Sequence, residues 1–237
     1  MKDVADIIVT QVRVYEPDNL PFQALRLPSN LRAFARSYSF SGAAVDPLGL
    51  QLTLANGMVE IGKRAIHVLN LILEPRRMVL QIQGRTSDAN AAAESFSAEL
   101  AKLVPDPKRE KLLQPILVND ETACVATLDI DFSDLFASPL AKLVEGEAKR
   151  MLSDRYVSAK SISFKNLSFE VRYDPADSSL EEHEVGVVSK ALTIEPRLGA
   201  SLQERRFFVS SPTDSETHLA LMGILESEIS KSGGTNR

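Results

Sequence analysis

Hydrophobic and polar positions alternate along much of the first half of the chain, a pattern typical of half-buried strands. The β-branched segment 7–15 predicts a first strand that stops before Pro17. Between residues 48 and 85 the same alternation predicts three or four further strands, and Asn56-Gly57 is a strong signal for a hairpin turn between two of them. The N-terminal half is therefore expected to be rich in antiparallel strands.

A second hairpin and a helix complete this half. Segments 66–73 and 78–83 predict the paired strands, with the bend at Pro75 to Arg77. A helical period follows up to Val104, because Ala92, Phe96, Leu100 and Leu103 fall on one face. The pattern thus predicts a sheet covered by a helix.

A short helix is also predicted at 30–37, after the first strand, so the first half reads strand, helix, strands, helix. The second half repeats this order of elements. A strand is predicted at 123–132, and Ser138-Pro139 is a good helix start because proline is favoured at the first helical position. Thr213 and Glu216 have the spacing of a capping box for a last helix. The strands predicted between these two helices lie at 159–173, 184–194 and 205–210.

A short internal repeat supports a duplicated architecture. Leu-Ile-Leu-Glu-Pro-Arg at Leu71–Arg76 recurs as Leu-Thr-Ile-Glu-Pro-Arg at Leu192–Arg197, at similar places in the element order. We predict an α+β fold of two pseudo-repeated halves, each a mostly antiparallel sheet with helices on one face. In shape it would resemble the saddle of TATA-binding-protein-like folds or, alternatively, a helix-grip domain. The predicted divisions are a first half at 1–104, a connector at 105–119, a second half at 120–231 and a flexible tail at 232–237.

Charge and cysteine content narrow the function classes. A net charge of -5 disfavours a general nucleic-acid binder, which needs clustered Lys and Arg to contact phosphates. The single cysteine, Cys124, excludes an intrachain disulfide framework and suits a reducing cytoplasm. The N-terminal residues lack a signal-peptide core, and no run of about 18 apolar residues predicts a membrane span. We therefore expect a soluble cytoplasmic protein.

Arginine pairs are the main candidates for ligand binding. Arg76-Arg77 and Arg205-Arg206 fall at corresponding turns of the two predicted halves, where guanidinium groups could bind phosphate, carboxylate or an acidic partner. Phe208 could add a stacking surface beside the second pair, since only one of two adjacent strand phenylalanines can face outward. The alternative is that these arginines form surface ion pairs with Glu74 and Glu195.

Paired carboxylates are the main candidates for metal binding. Asp129 and Asp131 would project from the same face of the strand at 123–132, and Asp134 follows closely. Such carboxylates can hold a divalent cation in a hydrolase. The alternative is a solvated strand face that leads into a helix cap.

No established catalytic motif accompanies these residues. The sequence contains no nucleophile elbow, Walker loop or dinucleotide-binding fingerprint. Cys124 falls on the apolar side of its predicted strand, where burial would raise its pKa and suppress nucleophilic reactivity. His67, His183 and His218 are expected to be structural or surface residues, because none has a second histidine at ligand spacing. No cofactor is expected.

The sequence leaves three function classes open. We favour a non-enzymatic binding or assembly module that engages a protein partner, or a second copy of itself, through sheet edges or the concave face. A metal-dependent or phosphate-directed hydrolase using Asp129 and Asp131 is the alternative. A nucleic-acid-binding accessory protein is a weaker one. An oligomer, dimeric or larger, is predicted.

Overall fold

The fold is mixed α+β and rests on antiparallel strands, as the sequence predicts. The computed structural model describes residues 3–104, 114–129, 167–171, 190–200 and 204–234. In chain order its elements are β1 (Asp3–Val14), α1 (Phe22–Leu25), α2 (Pro28–Ser37), β2 (Gly42–Val45), β3 (Leu52–Ile61), β4 (Arg64–Leu73), β5 (Arg77–Gln83), α3 (Thr86–Ala101), β6 (Leu117–Thr127), β7 (Leu167–Val171), β8 (Lys190–Pro196), β9 (Arg206–Ser211) and α4 (Ser215–Gly234).

The chain divides into two compact units. The N-terminal unit comprises Asp6–Ala123 and Pro212–Thr217, and the C-terminal unit comprises Met1–Ala5, Cys124–Ser211 and His218–Arg237. The predicted halves at 1–104 and 120–231 stay a prediction, because much of the second lies outside the described residues. No described helix is both long and apolar enough to cross a membrane.

In the N-terminal unit the strands follow the order β2-β3-β4-β5-β1. The register is antiparallel for each of these neighbouring pairs. Alternate residues of β3, β4 and β5 are fully buried, and α3 contributes alanines and Phe96 to the same core. Strand side chains alternate between the two faces of a sheet. Burial of one face of β3, β4 and β5 therefore accounts for the alternation of hydrophobic and polar residues in the sequence.

An aromatic cluster anchors α2 in this unit. The rings of Phe34 and Phe96 lie 5.8 Å apart, and the Tyr38 ring meets Phe96 edge-on at 4.7 Å. Phe40 completes the group at 6.1 Å from Phe96. Edge-on and tilted aromatic pairs are favourable beyond their buried area, so this cluster fixes α2 against α3.

In the C-terminal unit, β8 pairs in antiparallel register with β7 and with β9. Phe207 and Val209 of β9 are buried, as is Ile194 of β8. Phe208, between the two buried β9 residues, is half-buried. This arrangement agrees with the strand alternation that allowed only one of the adjacent phenylalanines to face outward.

The predicted turn at Asn56-Gly57 is wrong. β3 runs through both residues to Ile61, and the hairpin turn lies instead at Gly62 and Lys63, where Gly62 has φ +61°. Asn56 does adopt a left-handed conformation with φ 51°, but it does so within the strand. A two-residue hairpin turn of this type needs positive φ at both residues, and Gly57 does not have it.

The strand predicted at 123–132 is displaced toward the N-terminus, since β6 spans Leu117–Thr127. The polar residues at 119–122 concealed the start of this strand from the pattern. Asp120 among them is nevertheless half-buried and accepts a hydrogen bond from Gln11. Asp129 consequently lies beyond the end of the strand. The predicted helix after Ser138-Pro139 lies outside the described residues.

Candidate functional site

Among the described strands, β2 forms one edge of the sheet in the N-terminal unit. It pairs with β3 over four residues, from Gly42 opposite Ala55 to Val45 opposite Leu52, and it stands last in the strand order. Ala43, Ala44 and Val45 are all exposed. An edge strand of this kind presents backbone donors and acceptors to any chain that can lie beside it.

The register identifies which backbone groups point outward. The Asp46 N–H donates to the Gln51 carbonyl at 3.0 Å, so the residue after β2 still faces β3. In an antiparallel pair, successive residues direct their N–H and C=O groups to opposite sides. Gly42 and Ala44 therefore face β3, whereas Ala43 and Val45 direct theirs away from it.

Exposed leucines lie in and near the loop that follows this strand. Leu48 is 80% exposed, Leu50 is 56% exposed, and both belong to the loop that joins β2 to β3. Leu27 is 55% exposed and follows Arg26 in the chain. The Arg26 guanidinium packs against Gly49 of the same loop, so closely that a Cβ on Gly49 would lie 2.3 Å from a guanidinium nitrogen. We call β2 together with these three leucines the β2 edge.

The loop beside β2 is ordered by a carboxylate. Asp46 accepts hydrogen bonds from the backbone N–H of Gln51 at 2.7 Å and of Leu48 at 3.1 Å. These bonds, that from Gln51 foremost, lower the pKa of Asp46, so the carboxylate is charged at neutral pH. The loop thus holds its leucines in a defined place next to β2.

The composition of β2 is unusual for an exposed edge. Natural edge strands are commonly protected by lysine, proline or inward-pointing charge, which prevent a second chain from pairing with them. Residues 42–45 are Gly-Ala-Ala-Val and carry no lysine, proline or charge, so the short length of the strand is its only protection of this kind. The β2 edge can therefore accept an extended strand at small steric cost.

The first predicted arginine pair lies in the bend between β4 and β5. Arg77 makes two hydrogen bonds to the Glu74 carboxylate, at 2.9 Å and 2.7 Å. This ion pair raises the pKa of Arg77. Arg76 donates from Nε to the Tyr15 carbonyl at 3.3 Å. Both side chains stay exposed, but each has a partner within the same unit.

The second predicted pair meets one of the predicted metal ligands. Arg205, in a left-handed conformation with φ 52°, forms an ion pair with the Asp129 carboxylate. The Arg205 carbonyl also accepts the Leu128 N–H at 3.1 Å. Arg206 is exposed at the start of β9, and Phe208 follows two residues later. One proposed binding arginine and one proposed metal carboxylate thus form a single surface contact.

Asp131 and Asp134 lie outside the described residues, so the proposed cation site stays a prediction. Within the described ranges, no three side chains drawn from His, Cys, Asp and Glu come together as a ligand set. The Asp129 carboxylate is already balanced by Arg205.

The sequence interpretation missed β2 altogether. Its four small residues carry too little hydrophobic contrast to predict a strand, and the available signal lay in its neighbours. Asp46-Pro47 is a turn signal, and Leu48 and Leu50 extend the alternating pattern of β3 into the loop without burial. The alternating leucines beside the Asp46-Pro47 turn signal were therefore the feature of the sequence that indicated an exposed apolar site.

Comparison with known proteins does not assign the chain to a family. No protein-family model matches the sequence, and no curated protein resembles it significantly.

Proposed function

We propose that this protein is a non-enzymatic binding module that engages a protein chain at the β2 edge, and that the occupant is a second copy of itself. The observation that carries this proposal is an uncharged edge strand with outward backbone groups at Ala43 and Val45. Exposed apolar side chains flank it. Strand addition uses backbone hydrogen bonds for affinity and flanking side chains for specificity.

A two-fold arrangement fits the geometry of β2. If two copies pair antiparallel about Ala44, Ala43 of each copy lies opposite Val45 of the other. The two outward-facing residues of each strand then exchange four hydrogen bonds. Ala44 faces its equivalent as a non-hydrogen-bonded pair, in which the Cα atoms lie about 4.5 Å apart. Such a self-complementary contact closes the assembly at two copies.

A cysteine placed at the two-fold axis tests this register. The expected Cα separation falls within the range that a disulfide can bridge, about 4.4–6.8 Å. Ala44→Cys should therefore give a disulfide-linked dimer under mild oxidation. Glu94→Cys, on the exposed surface of α3, is the matched control and should form little disulfide-linked dimer. Native Cys124 is 1% exposed and should not interfere.

A proline variant tests the hydrogen bonds. Ala43→Pro removes an N–H that points away from β3, and proline is tolerated on the open side of an edge strand. The variant should keep the fold, measured by circular dichroism, but lose the dimer in light scattering. Ala44→Ser should keep the dimer.

Two outcomes would contradict the proposal. One is equal cross-linking of Ala44→Cys and Glu94→Cys, and the other is a wild-type chain that stays monomeric at high concentration.

The duplicated architecture belongs to this proposal too. Both copies of the internal repeat end a strand that begins a hairpin, β4 with β5 and β8 with β9, and each hairpin is followed by a helix. This common order supports two pseudo-repeated halves, and a concave sheet face would then be a further binding surface. The cytoplasmic location remains part of the proposal.

A further inference from the structure

Three sulfur and nitrogen donors converge inside the C-terminal unit. Cys124 of β6 places its Sγ 3.3 Å from Nε2 of His218 and 3.9 Å from Sδ of Met222. His218 and Met222 are one helical turn apart on α4 and therefore share a face. Each of the three residues is only 1% exposed. We call these residues the sulfur–imidazole cluster.

A hydrogen bond to Ser211 sets the orientation of the imidazole. Nδ1 of His218 lies 2.7 Å from the Ser211 hydroxyl, which leaves Nε2 directed at the cysteine sulfur. In metal sites the second ring nitrogen of a histidine ligand is commonly held in this way, which fixes the ring and its tautomer. The arrangement thus has both a donor set and an outer partner that positions one of the donors.

Burial has opposite consequences for the two titratable donors. Burial lowers the pKa of His218 to about 4, so the imidazole is neutral at pH 7 and its nitrogen can donate a lone pair. Burial also raises the pKa of Cys124 to about 11, so the metal-free thiol keeps its proton. A cation that binds there must displace that proton.

We propose that Cys124, His218 and Met222 form a three-coordinate site for a cuprous ion. Thiolate, thioether and imidazole are soft or borderline donors, and sulfur ligands of this type select Cu(I). Metal bonds to nitrogen and sulfur are about 2.0–2.3 Å long. Because Sγ of Cys124 lies 3.3 Å from Nε2 of His218 and 3.9 Å from Sδ of Met222, these atoms can bind one ion after small shifts. On binding, a Cu–S bond forms, the S–H bond breaks, and one proton leaves to solvent.

The charge and the donor number favour Cu(I) over Zn(II). A monovalent ion with one thiolate is neutral overall, which limits the cost of placing it in an apolar interior. Structural zinc sites take four ligands from cysteine, histidine and carboxylates, and a thioether is not among them. No described carboxylate joins this cluster. Because all three donors are buried, binding requires α4 to open locally and should be slow.

Titration with Cu(I) under reducing, oxygen-free conditions tests the site directly. The full chain competes with a chromogenic cuprous chelator, and we expect it to retain one equivalent after equilibration. Met222→Leu nearly conserves volume and should fold, yet should bind at least about tenfold more weakly. Met58→Leu, at an exposed methionine, is the matched control and should bind as wild type. A tenfold excess of Zn(II) should not displace the ion.

Spectroscopy separates this site from adventitious binding. The chain has one cysteine, so a thiolate-to-metal absorption band in the near ultraviolet must come from Cys124. We expect the band in wild type and its loss in Cys124→Ser, with a native circular dichroism spectrum as the folding check. Failure to retain Cu(I), or equal retention by wild type and Met222→Leu, would overturn the proposal.

Discussion

At the scale of single residues, Gly57 explains why a strong turn signal was misleading. The residue is buried within β3, and a Cβ there would lie 2.4 Å from the Phe40 ring. Phe40 in turn packs in the aromatic cluster with Phe34 and Phe96. Glycine is therefore required here for close packing rather than for chain reversal, and a local sequence pattern cannot distinguish these two uses.

We expect Gly57→Ala to be destabilising. The added methyl group must displace a ring that the aromatic cluster holds in place, and overpacking of this kind costs about 1–3 kcal/mol. The free energy of unfolding in urea measures the effect. Gly42→Ala is the matched control, because a Cβ at Gly42 meets only Ala55 at an ordinary 3.8 Å. Equal urea midpoints for the two variants would contradict this account.

A buried polar network shows a second limit at the residue scale. Arg13 is 9% exposed and donates to the Gln11 side-chain oxygen at 2.7 Å and to the Asn90 oxygen at 3.0 Å. Gln11 also donates to Asn90 and to Asp120, both at 2.9 Å. Polar residues are mostly exposed in proteins, so the sequence alone gives no sign that Gln11 and Arg13 are buried. Only the tertiary partners, up to 109 residues away in the chain, make their burial favourable.

At the scale of elements, hydrophobic periodicity predicted the strands and helices well, but the capping signals predicted the helix ends less well. The hairpin at β4 and β5 lies where alternation placed it, and α3 carries the predicted apolar face. The last helix was expected to be capped by Thr213, but the Thr217 N–H donates to the Asp214 carboxylate at 2.9 Å. Asp214 is the actual cap. Competing caps one residue apart have nearly equal propensities, so geometry has to decide.

Replacement of this cap should lower stability in a pH-dependent way. Asp214→Ala is expected to lose about 1 kcal/mol at pH 7. Hydrogen bonds from the backbone and hydroxyl of Thr217 lower the pKa of Asp214, so the unfolded chain binds the proton first as pH falls. The stabilisation by Asp214 is thus complete above the unfolded pKa, near 3.9, and is lost as pH falls through the folded value.

Asp214→Asn is the control for this prediction, because asparagine caps helices but does not titrate. Urea unfolding at pH 7 and near pH 3 should show that the difference between wild type and Asp214→Ala narrows in acid. Between pH 7 and pH 3, Asp214→Asn should lose a smaller share of its free energy of unfolding than wild type does. A difference between wild type and Asp214→Ala that does not change with pH would indicate that the charge on Asp214 plays no part in the cap.

At the scale of the whole molecule, composition and alternation predicted the α+β class but not the candidate site. The site depends on strand order, because among the described strands β2 pairs only with β3. Strand order follows from long-range pairing, for which Gly-Ala-Ala-Val carries no local signal. The sulfur–imidazole cluster was hidden for the same reason, since 94 residues separate Cys124 from His218.

Association through β2 should make the stability of the chain depend on its concentration. A second copy that binds only the folded chain adds a stabilising term that grows with concentration. We therefore expect the Tm of wild type to rise over about a hundredfold range of protein concentration, measured by calorimetry under reversible conditions. Ala43→Pro should unfold at one Tm throughout, because it lacks the outward N–H, and Ala44→Ser should follow wild type. If wild type and Ala43→Pro are equally insensitive to concentration, the exposed leucines and the uncharged edge do not hold two copies together.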